Sequence, residues 1–296
     1  MNISFPKISI VTVCYNHESF IAQTIESILS QGYPNLEYIV IDDGSTDSSW
    51  EIIQRYKNQL FHIERLEGNR PLPTQAINYG FSLSSGEILG WMNSKNILLP
   101  KSLFCLAEIF QQFQEIDWLT GLATTINRDG LIVRVSPTHK SIYDFLINRW
   151  SVIQQESTFW KRSLWEKSGP LNTEAGWAFD QSLWSSFFQQ ASLYHTHTAL
   201  GAYRAIPEAV SRQKRSEYLA CVDSVIHQLH QDVTPQYIRE SQIYKICYIL
   251  RPLLRSIPSS IYNQIPILKK FSYTTIEYQS MEQAWVLKRI NPFRQI

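Results

Sequence analysis

The chain has 296 residues, of which 44% are hydrophobic and 18% charged, and its net charge is +1. This composition indicates a globular protein with a sizeable core, and the balanced charge argues against nucleic acid as a partner. The four cysteines lack zinc-site spacing, so we expect buried thiols in a reducing compartment. Because no apolar run reaches the roughly 20 residues of a bilayer span and the N-terminus does not resemble a signal peptide, we expect a soluble, cytoplasmic protein.

Strands and helices alternate through the first half of the chain. The predicted strands cover residues 7–14, 38–41, 61–66 and 88–92, and the predicted helices cover residues 18–29, 50–56 and 76–83. The strands are short apolar, β-branched runs, whereas the helices repeat apolar residues every three to four positions. This alternation predicts an α/β fold with a doubly wound, mostly parallel sheet and helices on both faces. Ligands of such folds bind in the crevice outside the carboxyl ends of the strands.

The second half departs from this alternation. A helix is expected after Pro100, and strands at Trp118–Ile126 and Leu131–Val135 are expected to pair around Asp129-Gly130, which makes the sheet mixed. From residue 233 onward prolines interrupt the apolar segments, and basic residues lie among them. We therefore predict a main domain at residues 1–232 and a C-terminal helical extension at residues 233–296. A helix pair packed on the main domain is favoured, and an interfacial anchor at the inner face of the membrane is the alternative.

Polar side chains follow three of the predicted strands. They are Tyr15 and Asn16 after the first strand, Asp42 and Asp43 after the second, and Asn93, Ser94, Lys95 and Asn96 after the fourth. The carboxyl ends of parallel strands meet at one edge of a sheet, so these groups are expected to converge. A carboxylate there can accept hydrogen bonds from a ribose hydroxyl or a base N–H, and an aromatic ring can stack on the base. The alternative for one of the two aspartates is that it caps the following helix.

Two common nucleotide-binding classes are disfavoured by the first strand–helix turn. The turn has the sequence CYNHES and contains no glycine. A dinucleotide-binding fold needs glycines there so that the backbone can approach the pyrophosphate. The G-x-x-x-x-G-K-[ST] pattern of phosphate-binding loops is also absent from the sequence.

The opening segment resembles the start of family-two glycosyltransferases of the GT-A fold. The segment reads ISIVTVCYNHESFIAQTIESILSQGYPNLEYIVIDDGSTDSS, and its strand, Tyr-Asn step, helix and D-D-G-S-T-D turn occur in the family's order. The resemblance continues through AINYGFSLSSGEILGWMNS, QQESTFWKRSLWEKSGPL, AFDQSLW and ALGAYR, and covers residues 6–212. It implies transfer of a sugar from a nucleotide-diphosphate sugar to a hydroxyl of a glycan or lipid-linked acceptor, in polysaccharide or glycan assembly.

The resemblance also implies roles for particular residues. Tyr15 and Asp43 would hold the nucleotide base, and Asp180 of AFDQSLW would be the catalytic base of an inverting reaction. The donor-side residues are Tyr15, Asn16, Asp42, Asp43, Asn93, Lys95 and Asn96, and the acceptor-side residues are Gln155, Glu156, Trp160 and Trp184. Each of these roles has an alternative. Asp180 could cap the helix that follows it, and the QQES segment could be a polar loop. Trp184, at helical spacing with its apolar neighbours, could be a core residue. His195 and His197 are interpreted as surface histidines.

One motif departs from the family. The family's D-x-D metal motif appears as N-S-D-D after G-W-x in this kind of subgroup, whereas this chain has Asn93-Ser94-Lys95-Asn96. The family uses Mg²⁺ or Mn²⁺, and hard cations need anionic oxygen ligands, so we predict no metal ligands here.

Two hypotheses of different classes follow from this departure. In the first, the chain is a metal-independent transferase in which Lys95 neutralises the diphosphate leaving group. In the second, it is an inactive relative that binds nucleotide or acts as a scaffolding subunit. The survival of Asp42, Asp43 and Asp180 favours the first.

Overall fold

The polypeptide forms two β-sheets with helices around them. The structure, a computed structural model, describes residues 5–68, 72–148, 153–207 and 213–294. The strands are β1 (Ile8–Cys14), β2 (Leu36–Asp42), β3 (His62–Arg65), β4 (Ile88–Asn93), β5 (Ile97–Leu98), β6 (Trp118–Thr120), β7 (Ala123–Ile126), β8 (Ile132–Ser136), β9 (Thr158–Lys161), β10 (Tyr194–Thr196), β11 (Gly201–Arg204), β12 (Tyr273–Gln279) and β13 (Ala284–Ile290). The helices are α1 (Ile21–Leu29), α2 (Ser49–Gln54), α3 (Thr74–Ser82), α4 (Ser102–Gln112), α5 (Ile142–Leu146), α6 (Arg162–Ser168), α7 (Phe179–Gln190), α8 (Arg215–Asp232), α9 (Pro235–Ile249), α10 (Arg251–Leu254), α11 (Ser259–Tyr262) and α12 (Pro266–Lys269).

The main sheet confirms the predicted parallel core. Its strand order among the described residues is β13-β12-β10-β6-β9-β4-β1-β2-β3. Strand β1 pairs in parallel with both β2 and β4, and all seven of its residues are buried, which explains why five of the seven are apolar. Strand β9 is antiparallel to β4 and β6, so the sheet is mixed, as predicted.

A smaller sheet has the order β5-β11-β7-β8. Strands β7 and β8 form the predicted antiparallel hairpin around Asp129-Gly130, with Gly130 at a positive φ of 90°. The predicted strand Trp118–Ile126 is divided at Gly121 into β6 of the main sheet and β7 of the smaller one. A side chain at Gly121 would lie 2.5 Å from the Thr198 carbonyl oxygen, so the chain changes sheets where only glycine fits.

Aromatic rings fill the core on one face of the main sheet. The Trp184 ring stacks on Trp91 and on Trp118 with centroid separations of 5.7 Å in both pairs, and Trp160 contacts Trp184 edge to face. Trp160 and Trp184 are 0% exposed. The structure therefore corrects the acceptor-side expectation for these two tryptophans and gives the core position that the helical spacing favoured for Trp184.

The C-terminal region contains the predicted helices and also a hairpin that was not predicted. Strands β12 and β13 pair with each other, and β12 adds in parallel to β10, so the last strands extend the main sheet. Buried polar bonds join this region to α5: Tyr244 and Tyr273 donate their hydroxyls to Asp144 at 3.0 and 2.9 Å, and Tyr143 donates to Glu240 at 2.6 Å. The region from residue 233 is therefore part of the same sheet and core.

His195 is a second correction. It is 2% exposed rather than a surface residue. Its Nε2 accepts from the Lys140 backbone N–H at 2.9 Å, and its Nδ1 donates to the Thr274 carbonyl at 3.1 Å. Burial lowers the pKa of His195 well below its usual range, so the ring is neutral and joins β10 to the C-terminal hairpin. His197 is half-buried, with its Nδ1 3.7 Å from Glu277.

Candidate functional site

The loops after β1 and β2 are tied together by side-chain hydrogen bonds. Asn16 accepts from the Thr46 backbone N–H at 2.8 Å, and its own backbone N–H donates to the Ser45 hydroxyl at 3.0 Å. Its φ of +52° lies in the left-handed region, which asparagine tolerates better than most side chains. Asn16 is therefore a brace between the two strand ends, and Tyr15 beside it is 54% exposed.

The two acids after β2 are both buried. Asp42 is 0% exposed; its Oδ1 accepts from the Ser45 backbone N–H at 3.0 Å and lies 3.5 Å from Arg65 Nε. Its Oδ2 has no hydrogen-bond partner within the described part of the chain. Asp42 thus organises the D-D-G-S turn and does not cap α2, which begins only at Ser49. Asp43 is 6% exposed, and its backbone N–H donates to the Cys14 carbonyl.

An open recess lies beside this turn. Its lining residues are Gly44, Ser45, Thr46, Arg65, Leu66, Glu67 and Gly68. Gly44 has a φ of +79°, and a side chain there would lie 2.2 Å from the Gly68 Cα atom. The close approach of these two backbones requires glycine in the D-D-G-S turn and keeps the recess next to Asp43.

The segment after β4 is held by three other elements. Ser94 hydrogen-bonds His17 Nδ1 at 2.7 Å, and Thr24 of α1 donates to the carbonyls of Ser94 and Asn96 at 2.9 and 2.7 Å. Asn96 is 0% exposed and donates its amide to Glu156, while Asn93 at the strand end is half-buried. The predicted convergence of the β1 and β4 ends is therefore present, because His17 and Thr24 follow β1.

Lys95 lies inside this segment with only 9% of its surface exposed. Its Nζ is 5.5 Å from the centre of the Tyr203 ring, which is a cation–π distance. Burial, together with the positive charge of Lys95, lowers the pKa of His17 to about 4, so His17 is neutral at neutral pH. A buried ammonium at the carboxyl edge of the sheet can stabilise negative charge on a ligand more strongly than a solvated one.

Arg204 positions the Lys95 segment, and sequence reasoning missed it because its only signal was a place in ALGAYR. The side chain is 0% exposed and donates to the Lys95 carbonyl at 2.6 Å and to the Asn127 and Arg128 carbonyls at 3.1 and 2.5 Å. Another guanidinium N–H donates to Gln23 of α1. These bonds join β11, the hairpin turn and α1 around one planar fork, which lysine could not reproduce.

Two carboxyl groups, Glu156 and Asp180, have raised pKa values, and the charge of Lys95 acts on the first. Burial raises the pKa of Glu156 to about 7; the charge of Asp180 adds to this shift and the charge of Lys95 opposes it. Asp180 is in the first turn of α7, and desolvation raises its pKa to about 6, although part of its side chain still reaches solvent. Its described hydrogen bonds come from the Gln181 backbone and side chain at 2.8 and 3.3 Å. Lys95 and Asp180 thus both act electrostatically on Glu156, and we call these three residues the electrostatic group.

The remaining acceptor-side prediction concerns Gln155 and Glu156. Both lie in a short 3₁₀ turn, Gln155–Ser157, directly before β9, and both are buried. The turn is close-packed against β11, because a side chain at Gly201 would lie 1.9 Å from the Glu156 carbonyl oxygen. Glu156 is therefore fixed between Asn96 and β11 rather than placed on a free polar loop.

The residues after β4 do not fit the divalent metal that the resemblance implies. The segment contains no carboxylate, Lys95 contributes an ammonium, and both polar ends of Asn96 are engaged, the oxygen by the Arg204 backbone N–H at 2.9 Å. In the ranges that the structure describes, no group of three His, Cys, Asp or Glu is close enough to hold a metal ion. Mg²⁺ and Mn²⁺ require anionic oxygen ligands, which this segment does not supply.

Solved structures with this fold bind nucleotide sugars. TarS of S. aureus in complex with UDP-GlcNAc superposes with a TM-score of 0.63 at 18% identity, over 79% of this chain and 70% of that one. The mannosyltransferase PcManGT from Pyrobaculum calidifontis, in complex with GDP-Man and Mn²⁺, superposes with a TM-score of 0.60 at 17% identity, over 81% and 70%. These similarities establish a GT-A-type fold. Among the described residues, no helix is long and apolar enough to cross a membrane.

Sequence relatives agree with the fold. An uncharacterized glycosyltransferase of Nostoc sp. is 24% identical over 56% of this chain and 54% of its own length. The poly-beta-1,6-N-acetyl-D-glucosamine synthase of Staphylococcus epidermidis is 30% identical over 43% of this chain and 31% of its own length. The chain thus spans between about a third and about half of these two relatives. Residues 9–195 match the sequence model described as Glycosyl transferase family 2, and the chain belongs to that family.

Proposed function

We propose that this protein transfers a sugar from a nucleotide-diphosphate sugar to an acceptor hydroxyl with inversion, and that it does so without a divalent metal. Asp180 is the base, and Lys95 supplies the positive charge at the diphosphate. Tyr15, Asp43 and the recess beside Gly44 hold the nucleotide. Family membership supports the reaction class, and the residues of this chain support the division of roles.

The observation that carries the proposal is the electrostatic group of Lys95, Glu156 and Asp180. The charges of both other residues affect the pKa of Glu156, so a cation and a desolvated carboxylate both lie close enough to act on one buried acid. A pKa of about 6 leaves most of Asp180 ionised at neutral pH while keeping it a stronger base than a solvated aspartate. The Asp180 carboxylate and the Lys95 ammonium suit a reaction in which one group takes a proton from the acceptor and the other stabilises a departing anion.

The chemical step balances with these two side chains. The acceptor oxygen forms a bond to the anomeric carbon while its proton passes to the Asp180 carboxylate. The bond from the anomeric carbon to the diphosphate oxygen breaks, and the nucleoside diphosphate leaves with the electron pair. The Lys95 ammonium stabilises the charge that develops on this leaving group, as preorganised charge does in other transfer reactions.

The donor and acceptor are proposed at the level of chemical class. The similar structures were solved with UDP, UDP-GlcNAc and GDP-Man, which supports a nucleoside-diphosphate sugar here. The acceptor is a glycan or a lipid-linked sugar, and Gln155 and Glu156 are proposed to lie on its side of the site. Contact of residues 233–296 with a membrane surface is part of this proposal.

A second candidate function is a nucleotide-binding or scaffolding subunit without turnover. It is favoured by Asn96, which is fully buried and holds Glu156 and the Arg204 backbone instead of facing a ligand. In that case Lys95 would fill the place of a lost metal without acting on a leaving group.

Turnover assays with a matched lysine variant separate the two candidates. Transfer or hydrolysis of UDP-GlcNAc and GDP-Man is measured in EDTA for the wild type, Lys95→Ala and Lys57→Ala, since Lys57 is an exposed lysine in a short 3₁₀ turn. We expect activity in EDTA, a loss of roughly 100-fold or more in Lys95→Ala, and no change in Lys57→Ala.

Two results would contradict the proposal. Activity that appears only with added Mn²⁺ would remove the role given to Lys95. Nucleotide binding by thermal shift, without turnover of either donor under any metal condition, would favour the scaffolding candidate.

A further inference from the structure

The exposed aliphatic side chains form two groups, one at residues 131–135 on and beside β8 and a larger one in the C-terminal region. Fifteen large hydrophobic side chains are exposed among the described residues, and seven of them lie between positions 243 and 265. Five form a continuous stretch that we call the apolar face: Ile243, Ile246, Ile249, Leu250 and Leu253. Scattered single exposures are normal on soluble proteins, but a cluster of this kind marks an interaction site.

The apolar face follows helical geometry. Positions 243, 246, 250 and 253 are separated by three, four and three residues, which places them along one side of α9 and the start of α10. The opposite side of α9 is already used, because Tyr244 and Cys247 are buried in the main core. The helix therefore has one apolar side packed on the protein and a second apolar side in contact with solvent.

The surroundings of the apolar face are strongly basic. Residues 233–272 contain six lysines or arginines and a single acid, Glu240. Glu240 is buried and paired with Lys270 at 2.5 Å, so it offers no surface charge. Lys245, Arg251 and Arg255 are exposed along the same helices. Since the whole chain has a net charge of only +1, the rest of the protein carries an excess of acids.

We propose that the apolar face and its basic surroundings bind an anionic lipid surface, with α9 and α10 lying in the plane of the membrane interface. Aliphatic side chains enter the boundary of the acyl chains, and Lys245, Arg251 and Arg255 meet the anionic headgroups. A second copy of this chain is a poorer occupant, because two surfaces of the same positive charge would face each other.

The position of α8 gives this attachment a consequence for the site. Tyr218, near the start of α8, lies close enough to Asp180 for the carboxylate charge to contribute, after burial, to raising the tyrosine pKa. Helix α8 then leads directly into α9. One pair of consecutive helices therefore connects the surroundings of Asp180 to the lipid-facing side, which suits an acceptor delivered at a membrane. The attachment itself does not depend on transfer activity.

Vesicle flotation with the full chain tests the proposal. The vesicles are phosphatidylcholine alone or phosphatidylcholine with phosphatidylglycerol, at low and high salt. We expect flotation with the anionic vesicles, weakening at high salt because screening shortens the range of the electrostatic attraction. Ile246→Asp with Leu253→Asp should reduce the bound fraction at least about tenfold.

A matched control separates this face from general exposure of apolar side chains. Ile246 and Leu253 are 57% and 71% exposed, and Ile132 and Val133 on β8 are similarly exposed at 55% and 60%. Ile132→Asp with Val133→Asp should leave flotation unchanged. Lys245→Glu with Arg255→Glu should abolish the preference for phosphatidylglycerol.

Four outcomes would overturn the proposal. They are no flotation of the wild type, equal loss in the β8 control, binding indifferent to phosphatidylglycerol, and a dimer in sedimentation that the apolar-face variant dissociates. None of these measurements uses a sugar donor. A failure here therefore leaves donor binding and turnover untouched, and loss of turnover leaves flotation untouched.

Discussion

Two acids, the partly exposed Asp180 in the first turn of α7 and the buried Asp144 in α5, receive different hydrogen bonds from their surroundings. Asp144 is 0% exposed and accepts hydrogen bonds from Tyr244, Tyr273 and the Ser141 backbone. Asp180 has its described hydrogen bonds from Gln181 alone and a pKa raised to about 6. Hydrogen bonds from three residues replace the water that Asp144 has lost, whereas Asp180 receives described hydrogen bonds from one residue.

This difference agrees with a structural role for Asp144 and with the catalytic role that we propose for Asp180. A compensated buried carboxylate holds two parts of the fold together, and its removal leaves hydroxyls without partners. An under-compensated carboxylate costs stability in its ionised form and is retained where its reactivity is used. The region from residue 233 is therefore joined to the main domain by a structural acid, whereas Asp180, in the first turn of α7, is the acid that we propose for catalysis.

The largest effect is expected from Asp180→Asn, which tests the functional side of this comparison. Removing the proposed base should lower transfer by roughly 1,000-fold or more. Stability should change in the opposite direction. The folded-state pKa of about 6 lies above the ordinary 3.8, so the ionised side chain costs stability above pH 6, and this cost is absent below pH 3.8.

The variant should therefore melt at a higher temperature than the wild type at pH 8, with the difference shrinking toward pH 4. Thermal unfolding at these two pH values, combined with transfer assays, measures both effects. Unchanged transfer in Asp180→Asn, or a lower melting temperature at pH 8, would contradict the role given to Asp180.

Asp144→Ala tests the structural side and should have the next largest effect. It leaves the Tyr244 and Tyr273 hydroxyls without their shared acceptor, at a cost of about 2–4 kcal/mol in the free energy of unfolding. Denaturant unfolding measures this loss, and Asp144→Asn, which keeps one acceptor oxygen, should cost less. Transfer per folded molecule should stay within about twofold of the wild type, because Asp144 does not touch the site. A large fall in transfer without loss of stability would contradict the structural role given to Asp144.

The smallest effect is expected in the pH dependence of transfer. Because Asp180 acts in its ionised form, kcat/KM should rise with pH through an apparent pKa of about 6. Glu156, with a pKa of about 7, is mostly protonated while Asp180 ionises, so Glu156→Gln should move this limb by no more than about half a unit. A limb near pH 7 that disappears in Glu156→Gln would assign the base to Glu156 instead.

The parts of the fold that follow local rules were predictable from sequence. Strong local signals come from the mostly apolar, β-branched strand Ile8–Cys14, the helical spacing in Ile21–Leu29 and the Asp129-Gly130 turn. The hairpin of Tyr273–Gln279 and Ala284–Ile290 was missed, because its turn contains none of the glycine, asparagine or proline residues that mark such connections.

The candidate site was predictable only in part. The groups at the strand ends follow from parallel topology, which brings carboxyl ends together. The burial of Trp160, the internal hydrogen bonds of His195 and the hydrogen bonds of the Arg204 side chain depend on partners far away in sequence, from Gln23 to Thr274. No local pattern encodes such contacts, so the sequence suggested an acceptor-side position for Trp160 and a surface position for His195, and it gave no signal for Arg204 beyond its place in ALGAYR.

The pairing of β12 with β10 sets a practical limit on how the protein can be shortened. The family match ends at position 195, in the middle of β10, and a protein cut there would lose the neighbour that covers that strand. Uncovered strand edges pair with one another between molecules, so such a fragment should precipitate. Shortened or fused versions of the protein should therefore retain all residues through Ile290, the last residue of the β12–β13 hairpin.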